Sequence, residues 1–209
     1  MTKITKDENS KERILKTAIK LFAQKGYSGT SVREIAKIAG VNVAMISYYW
    51  GGKKELYQEI IDNMIEHQTK YATSSLDFAI NPEDLSKEDQ IELAFRTIDK
   101  AIDFFYSDSS YELLTFMMHG QKEKEIFGNL PLFKYGMKIF AALFNKKTID
   151  REVILTLASI ITLINSPRLM PNFSIMLMNQ RTFHQEDVKI IRKNVHTYMR
   201  GLREENHII

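Results

Sequence analysis

The chain contains no cysteine, which excludes disulfide bonds, thiolate metal sites and cysteine nucleophiles. Glycine and proline are also scarce, with 9 and 4 among 209 residues, and apolar residues recur mostly at spacings of three and four. These features predict an all-α protein. The chain is long enough for one or two domains with a substantial hydrophobic core.

Long apolar runs are missing as well. The longest strongly apolar segment extends from Val153 to Ile164 and is too short to cross a bilayer. The N-terminal stretch "MTKITKDENSKE" is polar and has no apolar signal core. We therefore expect a cytoplasmic protein without a membrane partner.

Catalytic motifs are lacking too. The sequence has no Gly-rich phosphate loop, no serine elbow and no paired-histidine motif, and its five histidines are scattered. His119 and Glu123 have the i, i+4 spacing of metal ligands but no third partner, so no metal site is predicted. We expect no enzymatic activity, no catalytic residues and no cofactor.

Charge is unevenly distributed along the chain. Residues 1–57 contain 11 lysines and arginines against 5 acidic residues, whereas the remainder carries a small acidic excess. A basic N-terminal quarter on a mildly acidic body indicates an acidic partner at one end, and nucleic acid is the leading candidate. Chance distribution over solvated faces is the alternative.

Apolar periodicity and chain breakers predict a succession of helices separated by short turns. A linker is expected over residues 74–87, and the prolines of "NSPRLMPN" are expected to interrupt the helical pattern. The predicted helices cover about 8–25, a short stretch ending at 39, 42–49, 53 to beyond 71, 87–107, 110–127, 130–145, 150–164 and 185–204.

The stretch "VREIAKIAGVNVAMISYYW", residues 32–50, has the spacing of a helix-turn-helix. Ala36 precedes Gly40 by four residues, where two helices cross closely, and glycine can adopt the left-handed turn conformation. Ile46 is expected to face inward. Ser31 and Glu34 have the spacing of a capping box before the second helix. The alternative is an ordinary helical hairpin inside a core.

These residues resemble the N-terminal domain of the TetR family of transcriptional regulators over roughly residues 13–57. Ser47, Trp50 and Gly52 depart from the family pattern, and Ser47 in particular affects base preference. The family pattern is met at Ala18, Leu21, Phe22, Gly26, Thr30, Ser31, Ile35, Ala36, Ala39, Gly40, Val41, Ile46, Tyr48, Tyr49, Lys53 and Leu56.

The resemblance implies that the third helix enters the major groove of DNA. Apolar side chains there can contact thymine methyl groups, and the flanking hydroxyl and lysine groups can contact phosphates. The expected DNA-binding residues are Thr30, Ser31, Arg33, Asn42, Val43, Ala44, Met45, Ser47, Tyr48, Tyr49 and Lys53.

For the rest of the chain the resemblance implies only an architecture. It predicts a DNA-binding domain over residues 1–52 and a helical effector-binding and dimerisation domain over 53–209, linked by the helix at 53–73. The last two long helices would form a homodimer interface. The candidate effector-pocket residues are Phe104, Phe105, Tyr111, Phe116, Met117, His119, Met137, Phe140 and Phe144.

The expected function is a repressor that occupies a palindromic operator and is released by a small, largely apolar effector. Aromatic and methionine residues at helical spacing are, however, also typical of an ordinary core. Two alternatives therefore stay open. One is a constitutive helix-turn-helix DNA binder without an effector, and the other is a helical interaction protein that does not bind DNA.

Overall fold

The computed structural model describes residues 3–74, 76–107, 129–170, 173–180 and 182–205, and throughout these ranges the regular structure is helical. The predicted all-α class is confirmed. The helices are α1 (Lys3–Gly29), α2 (Val32–Ala39), α3 (Ala44–Trp50), α4 (Lys53–Thr73), α5 (Lys87–Phe105), α6 (Pro131–Leu143), α7 (Arg151–Leu169) and α8 (Gln185–Glu205), with a 3₁₀ turn at Pro82–Asp84.

The described residues divide into two compact units, and the division falls between His67 and Gln68, within α4. The first unit contains α1, α2, α3 and most of α4. The second contains the end of α4 and α5 to α8. The predicted helix at 110–127 lies outside the described residues.

Two chain breakers behave differently from each other. Gly26 interrupts α1 with φ 68° and ψ 175°, which confirms the predicted stop before the second helix. Pro167 was expected to end α7, but the helix continues through it to Leu169. Proline removes one backbone donor, and in the last turn of a helix this loss affects a single hydrogen bond. The interruption comes instead at Met170.

The first unit is held by apolar side chains at helical spacing. Ile14, Phe22, Ile35, Ile46 and Leu56 are almost completely buried, so each of the four helices contributes to one core. The same burial fixes which face of α3 remains outside. Ile46 faces inward, as its spacing from Gly40 predicts.

In the second unit, α5 packs against α6, α7 and α8, and α6 also packs against α7. Polar groups fix the segment that precedes α5. Tyr135 donates from its hydroxyl to the carbonyl of Ile80 at 3.0 Å, and the amide of Gln90 donates to the carbonyl of Pro82 at 2.8 Å. Over residues 76–87 the predicted linker is therefore an ordered connection.

An ionic cluster joins α5 to α8. Arg192 pairs with Asp99 and with Asp103, each at 2.5 Å, and His196 Nε2 lies 2.8 Å from the same Asp99 carboxylate. Burial of Arg192 opposes its charge, but the two carboxylates outweigh this and raise its pKa. The pairing orients α8 on α5.

Helix α7 is long and apolar enough, by length and composition, to cross a membrane, and it is the only such helix among the described residues. It is longer than the apolar segment 153–164 because it includes polar residues at both ends. Core helices of soluble proteins meet the same criterion. Packing of α7 against α5, α6 and α8 is consistent with that simpler explanation.

Candidate nucleic-acid interface

The turn between α2 and α3 is built on Gly40. Its φ of 66° and ψ of 40° lie in the left-handed region, which a side chain disfavours. The amide of the following residue, Val41, donates to the carbonyl of Ala36 at 3.0 Å and closes the end of α2. This geometry is the one predicted from the spacing of Ala36 and Gly40.

Ser31 begins α2. Its hydroxyl accepts a hydrogen bond from the amide of Glu34 at 3.2 Å, as the capping-box spacing predicts. The Glu34 carboxylate was expected to return to the backbone of Ser31, but it pairs with the ammonium group of Lys25. The second half of the box is thus replaced by an ion pair between α1 and α2.

Thr30 is a correction to the predicted DNA-binding set. The residue is only 2% exposed, and its hydroxyl donates to the carbonyls of Gly26 at 2.9 Å and Leu21 at 3.2 Å. These carbonyls lie at the break of α1, where the helical hydrogen bonds are interrupted. The hydroxyl therefore stabilises that break and is not directed to a phosphate.

Helix α3 starts from an Asx-type cap. The side-chain oxygen of Asn42 accepts from the amide of Ala44 at 2.9 Å, and the helix begins at Ala44. This start is two residues later than the predicted one, because Asn42 closes a turn and does not itself adopt helical geometry. Asn42, Val43, Ala44 and Ser47 are all exposed, and Met45 is half-buried.

The aromatic residues at the end of α3 divide between solvent and packing. Tyr48 is 80% exposed, whereas Tyr49 and Trp50 are half-buried. Tyr49 lies edge-on to both neighbours, with ring centroids 5.3 Å from Tyr48 and 5.4 Å from Trp50. The ammonium group of Lys11 lies 5.6 Å from the centre of the Trp50 ring. Tyr48 is thus the phenol presented outward.

Lys53, at the start of α4, packs against an aromatic ring. Its ammonium group lies 4.1 Å from the centre of the Tyr27 ring, close enough for a cation–π interaction. Tyr27 in turn contacts Tyr57 edge-on at 4.9 Å and stacks near Phe22 at 5.9 Å. The sequence pattern does not predict this role of Tyr27, although its position directly after the break at Gly26 is a signal for one.

The interface is electropositive at its flanks and uncharged at its centre. Arg33 and Lys37 are exposed on α2, and Lys53 lies at the start of α4. Residues 41–50 contain no charged side chain. Such an arrangement can attach to phosphates on either side of a groove while the uncharged helix lies within it.

The predicted pocket residues that the structure describes lie in two different surroundings. Phe104 is buried near the end of α5. The centre of its ring lies 5.6 Å from that of Tyr71 and 5.7 Å from that of Phe105. Phe140 and Phe144 instead line a small apolar pocket of about 30 Å³, and Met137 is half-buried on the same helix. The pocket is completed by Ile91, Ala94, Phe95, Leu143, Met199 and Leu202.

Four of the predicted pocket residues, Tyr111, Phe116, Met117 and His119, lie outside the described residues. Within the described ranges, no group of three histidine, aspartate or glutamate side chains is placed to hold a metal ion.

Comparison with known proteins assigns the N-terminal domain. Residues 14–60 match the sequence model of the bacterial regulatory proteins of the tetR family. A stretch of 62 residues is 52% identical to the probable HTH-type transcriptional regulator YttP of Bacillus subtilis (strain 168), covering 30% of each chain. Over 57 residues the chain is 33% identical to IcaR of Staphylococcus epidermidis, a negative regulator of the biofilm operon icaADBC, covering 27% of this chain and 31% of IcaR.

The matched stretch thus spans less than a third of the length of these relatives. Solved structures extend the likeness in fold across most of the chain. The TetR family regulator PfmR of Thermus thermophilus superposes with a TM-score of 0.57 at 18% identity, over 90% of this chain and 97% of PfmR.

A TetR-like regulator from Rhodococcus sp. RHA1 gives a TM-score of 0.59 at 15% identity, over 92% of this chain and 95% of that one. At such identities the likeness concerns the fold. The helix-turn-helix geometry and the domain match agree over residues 14–60, which are similar to the bacterial regulatory proteins of the tetR family, and the fold of most of the chain is shared with solved regulators of that type.

Proposed function

We propose that this protein is a transcriptional repressor that binds a two-fold symmetric operator as a homodimer and is released by a small, largely apolar effector. The observation that carries the proposal is the surface of α3. Val43, directly before α3, and Ala44, Ser47 and Tyr48 on α3 are exposed between basic flanks, and such a surface suits the major groove of DNA. Because operator DNA lies in the bacterial cytoplasm, a protein with this function acts there.

Two subunits are needed because one short helix reads few base pairs. Two reading helices about one helical turn of DNA apart, or a multiple of it, double the contacts. The proposed dimer interface consists of α7 and α8. Helix α7 leaves Ile154 46%, Leu155 66% and Leu163 38% exposed, and α8 leaves Ile190 58% exposed. These apolar surfaces suit burial against the same helices of a second copy.

DNA binding is tested with heparin chromatography followed by a titration of duplex DNA at increasing salt. We expect retention on heparin and an affinity that falls steeply with salt, because most assignable contacts go to phosphates. Selection of bound fragments from the source genome then identifies the operator. A chain that binds no duplex at low salt would be a helical interaction protein of another kind.

The effector part of the proposal rests on the apolar side chains of the second unit. An effector would bind two arrangements of the subunits with different affinity, and a coupling of about 1–3 kcal/mol would weaken operator binding roughly 5–150-fold. Helix α4, which begins with Lys53 and contributes residues to both units, is the proposed connection. A library of small apolar compounds, screened for release of a labelled operator, tests this step.

A constitutive DNA binder is the second candidate, and within the described part of the chain the small size of the pocket between α5, α6 and α8 favours it. At about 30 Å³, the pocket lined by Phe140 and Phe144 is far below the roughly 300 Å³ or more of typical ligand pockets. If no compound in the screen releases the operator, and crystals grown with candidate compounds show only the protein, the constitutive function replaces the repressor that responds to an effector.

A further inference from the structure

The exposed face of α3 carries methyl groups and hydroxyls, without charge. Val43 lies four positions before Ser47, and Ala44 lies four before Tyr48, so these side chains share one face, and all four are exposed. Val43 is 42% and Tyr48 80% exposed. Within residues 41–50 the sequence has no lysine, arginine, glutamine, histidine or acidic residue. The side chains best suited to hydrogen-bonded base readout are thus missing from this helix.

Asn42 is the one amide side chain in that stretch, and the helix already uses it. Its oxygen accepts from the amide of Ala44 at 2.9 Å and so caps α3. Bidentate recognition of adenine needs the oxygen and the nitrogen of an asparagine together. The bond to Ala44 fixes the orientation of the Asn42 amide, and this restricts Asn42 as a reader of adenine.

Guanine is usually read by arginine or lysine through its two major-groove acceptors. The basic side chains of the interface lie on α2, in the case of Arg33 and Lys37, and at the start of α4, in the case of Lys53. In a helix-turn-helix the first helix crosses the DNA backbone, and only the second enters the groove. None of these basic side chains lies on α3, so this helix itself offers guanine no basic partner.

We infer that α3 selects its half-site through thymine C5-methyl groups that contact Val43 and Ala44, so that the base pairs facing these two residues are A·T pairs. Thymine is distinguished in the major groove by its methyl group, which apolar side chains can contact. The inference rests on the proposed operator binding and adds the chemical feature by which the operator is recognised.

The test uses a duplex selected by the full-length protein from a random-sequence library. Each thymine of one half-site is replaced in turn by deoxyuridine, which keeps the hydrogen-bonding groups but lacks the methyl group. Each contacted methyl should then cost about fourfold in affinity, the value for removing one buried methylene-sized group. The salt dependence should not change, because the phosphates are the same.

A converse substitution restores the methyl on a different base pair. Replacing a sensitive A·T pair by G·C should weaken binding, and replacing it by G·5-methylcytosine should recover part of the loss. Recovery would show that the methyl group, and not the A·T hydrogen-bonding pattern, is recognised. Equal affinities for the methylated and unmethylated G·C duplexes would contradict the inference.

Matched variants connect the effect to the protein. Val43→Ala should reduce the loss of affinity that deoxyuridine causes at the thymine contacting Val43. The protein variant and the deoxyuridine remove the same contact, so their effects should not add. Ile38→Ala removes a side chain that is 60% exposed on α2, outside the proposed contacts, and should leave the full penalty in place. Equal penalties in the two variants would overturn the assignment to Val43.

The possible failures are distinguishable. If the selected duplex is bound and every deoxyuridine duplex is bound equally well, methyl readout is wrong and operator binding still stands. If the full-length protein binds no duplex in a salt-dependent manner, both the operator proposal and the inference are wrong.

Discussion

Two adjacent hydroxyl residues, Thr30 and Ser31, have separate functions although they follow one another before α2. Ser31 is exposed and caps the helix, whereas Thr30 is buried and donates to carbonyls at the break of α1. A hydroxyl at a helix start is therefore not sufficient to assign a phosphate contact, because the backbone can use the same group. Burial distinguishes the two residues.

Thr30→Val tests this distinction. Valine keeps the shape of threonine but removes the donor and leaves two buried carbonyls with fewer partners, so the free energy of unfolding should fall by about 1–2 kcal/mol. The operator affinity of the folded protein should not change. Urea unfolding and fluorescence anisotropy measure the two quantities, and a loss of affinity at unchanged stability would return Thr30 to the DNA-binding set.

Lys53 is the residue best placed to contact a phosphate at the start of α4. Lys53→Ala should weaken binding to all duplexes and lower the salt slope by roughly one for each subunit contact, since one phosphate partner is lost. Lys54→Ala, which changes the exposed neighbour, serves as the control and should have a smaller effect. If affinity and slope both stay at their original values, the phosphate contact of Lys53 is excluded.

At the scale of the helices, a hydrogen bond from a half-buried tyrosine connects two elements that are distant in sequence. The hydroxyl of Tyr106, at the end of α5, donates to the carbonyl of Ile164 on α7 at 2.8 Å. The guanidinium of Arg168 lies 5.0 Å from the centre of the Tyr106 ring. Burial raises the pKa of Tyr106 far above its ordinary value, against a smaller lowering by Arg168.

The raised pKa of Tyr106 predicts loss of stability in alkaline solution. An unfolded tyrosine releases its proton near pH 10, while the folded chain retains it. The unfolded state then binds fewer protons, so the free energy of unfolding should fall above about pH 10, by at most about 1.4 kcal/mol per pH unit for this group.

Tyr106→Phe is the matched variant for this alkaline effect. It should be less stable at neutral pH by about 1 kcal/mol, because the hydrogen bond to Ile164 is lost. Above about pH 10 its stability should decline less steeply than that of the parent protein. Urea unfolding as a function of pH measures both slopes, and parallel slopes would argue against a role for Tyr106.

For the whole molecule, the exposed apolar side chains of α7 form part of the proposed dimer interface. Ile154, Leu155 and Leu163 lie on the face that is turned away from the core residues Val153, Leu157 and Ile160. A helix that is apolar on both faces is unusual at a free surface, and burial of the second face in a dimer removes this surface from water.

Leu155→Glu should dissociate the proposed dimer. A leucine buried at an interface contributes about 1.5–3 kcal/mol, so the dimer dissociation constant should rise by roughly tenfold or more. Affinity for the full operator should fall, and affinity for an isolated half-site should be retained. Sedimentation equilibrium and duplex titrations measure these effects.

Ile149→Glu, at an exposed position that precedes α7, is the control and should leave the dimer intact. A parent protein that is monomeric at micromolar concentration, and binds a half-site as tightly as the full operator, would exclude the dimer.

The sequence by itself determined the helical class and the local geometry of the helix-turn-helix. Helical spacing fixes which side chains share a face, so the burial of Ile35 and Ile46 follows from local pattern. Gly40 likewise follows from spacing, because the turn requires a left-handed residue. The start of α3 was less predictable, because the cap formed by Asn42 depends on backbone geometry that a pattern does not contain.

Only the tertiary structure decided which elements meet. Tyr27 supports Lys53 because α1 and α4 pack together, and a sequence pattern does not specify the distance between two helices. For the same reason the described aromatics of the predicted pocket have different neighbours, with Phe104 beside Tyr71 and Phe140 beside Phe144. Periodicity assigns a residue to a face, but contacts between residues far apart in sequence depend on the packing of whole helices.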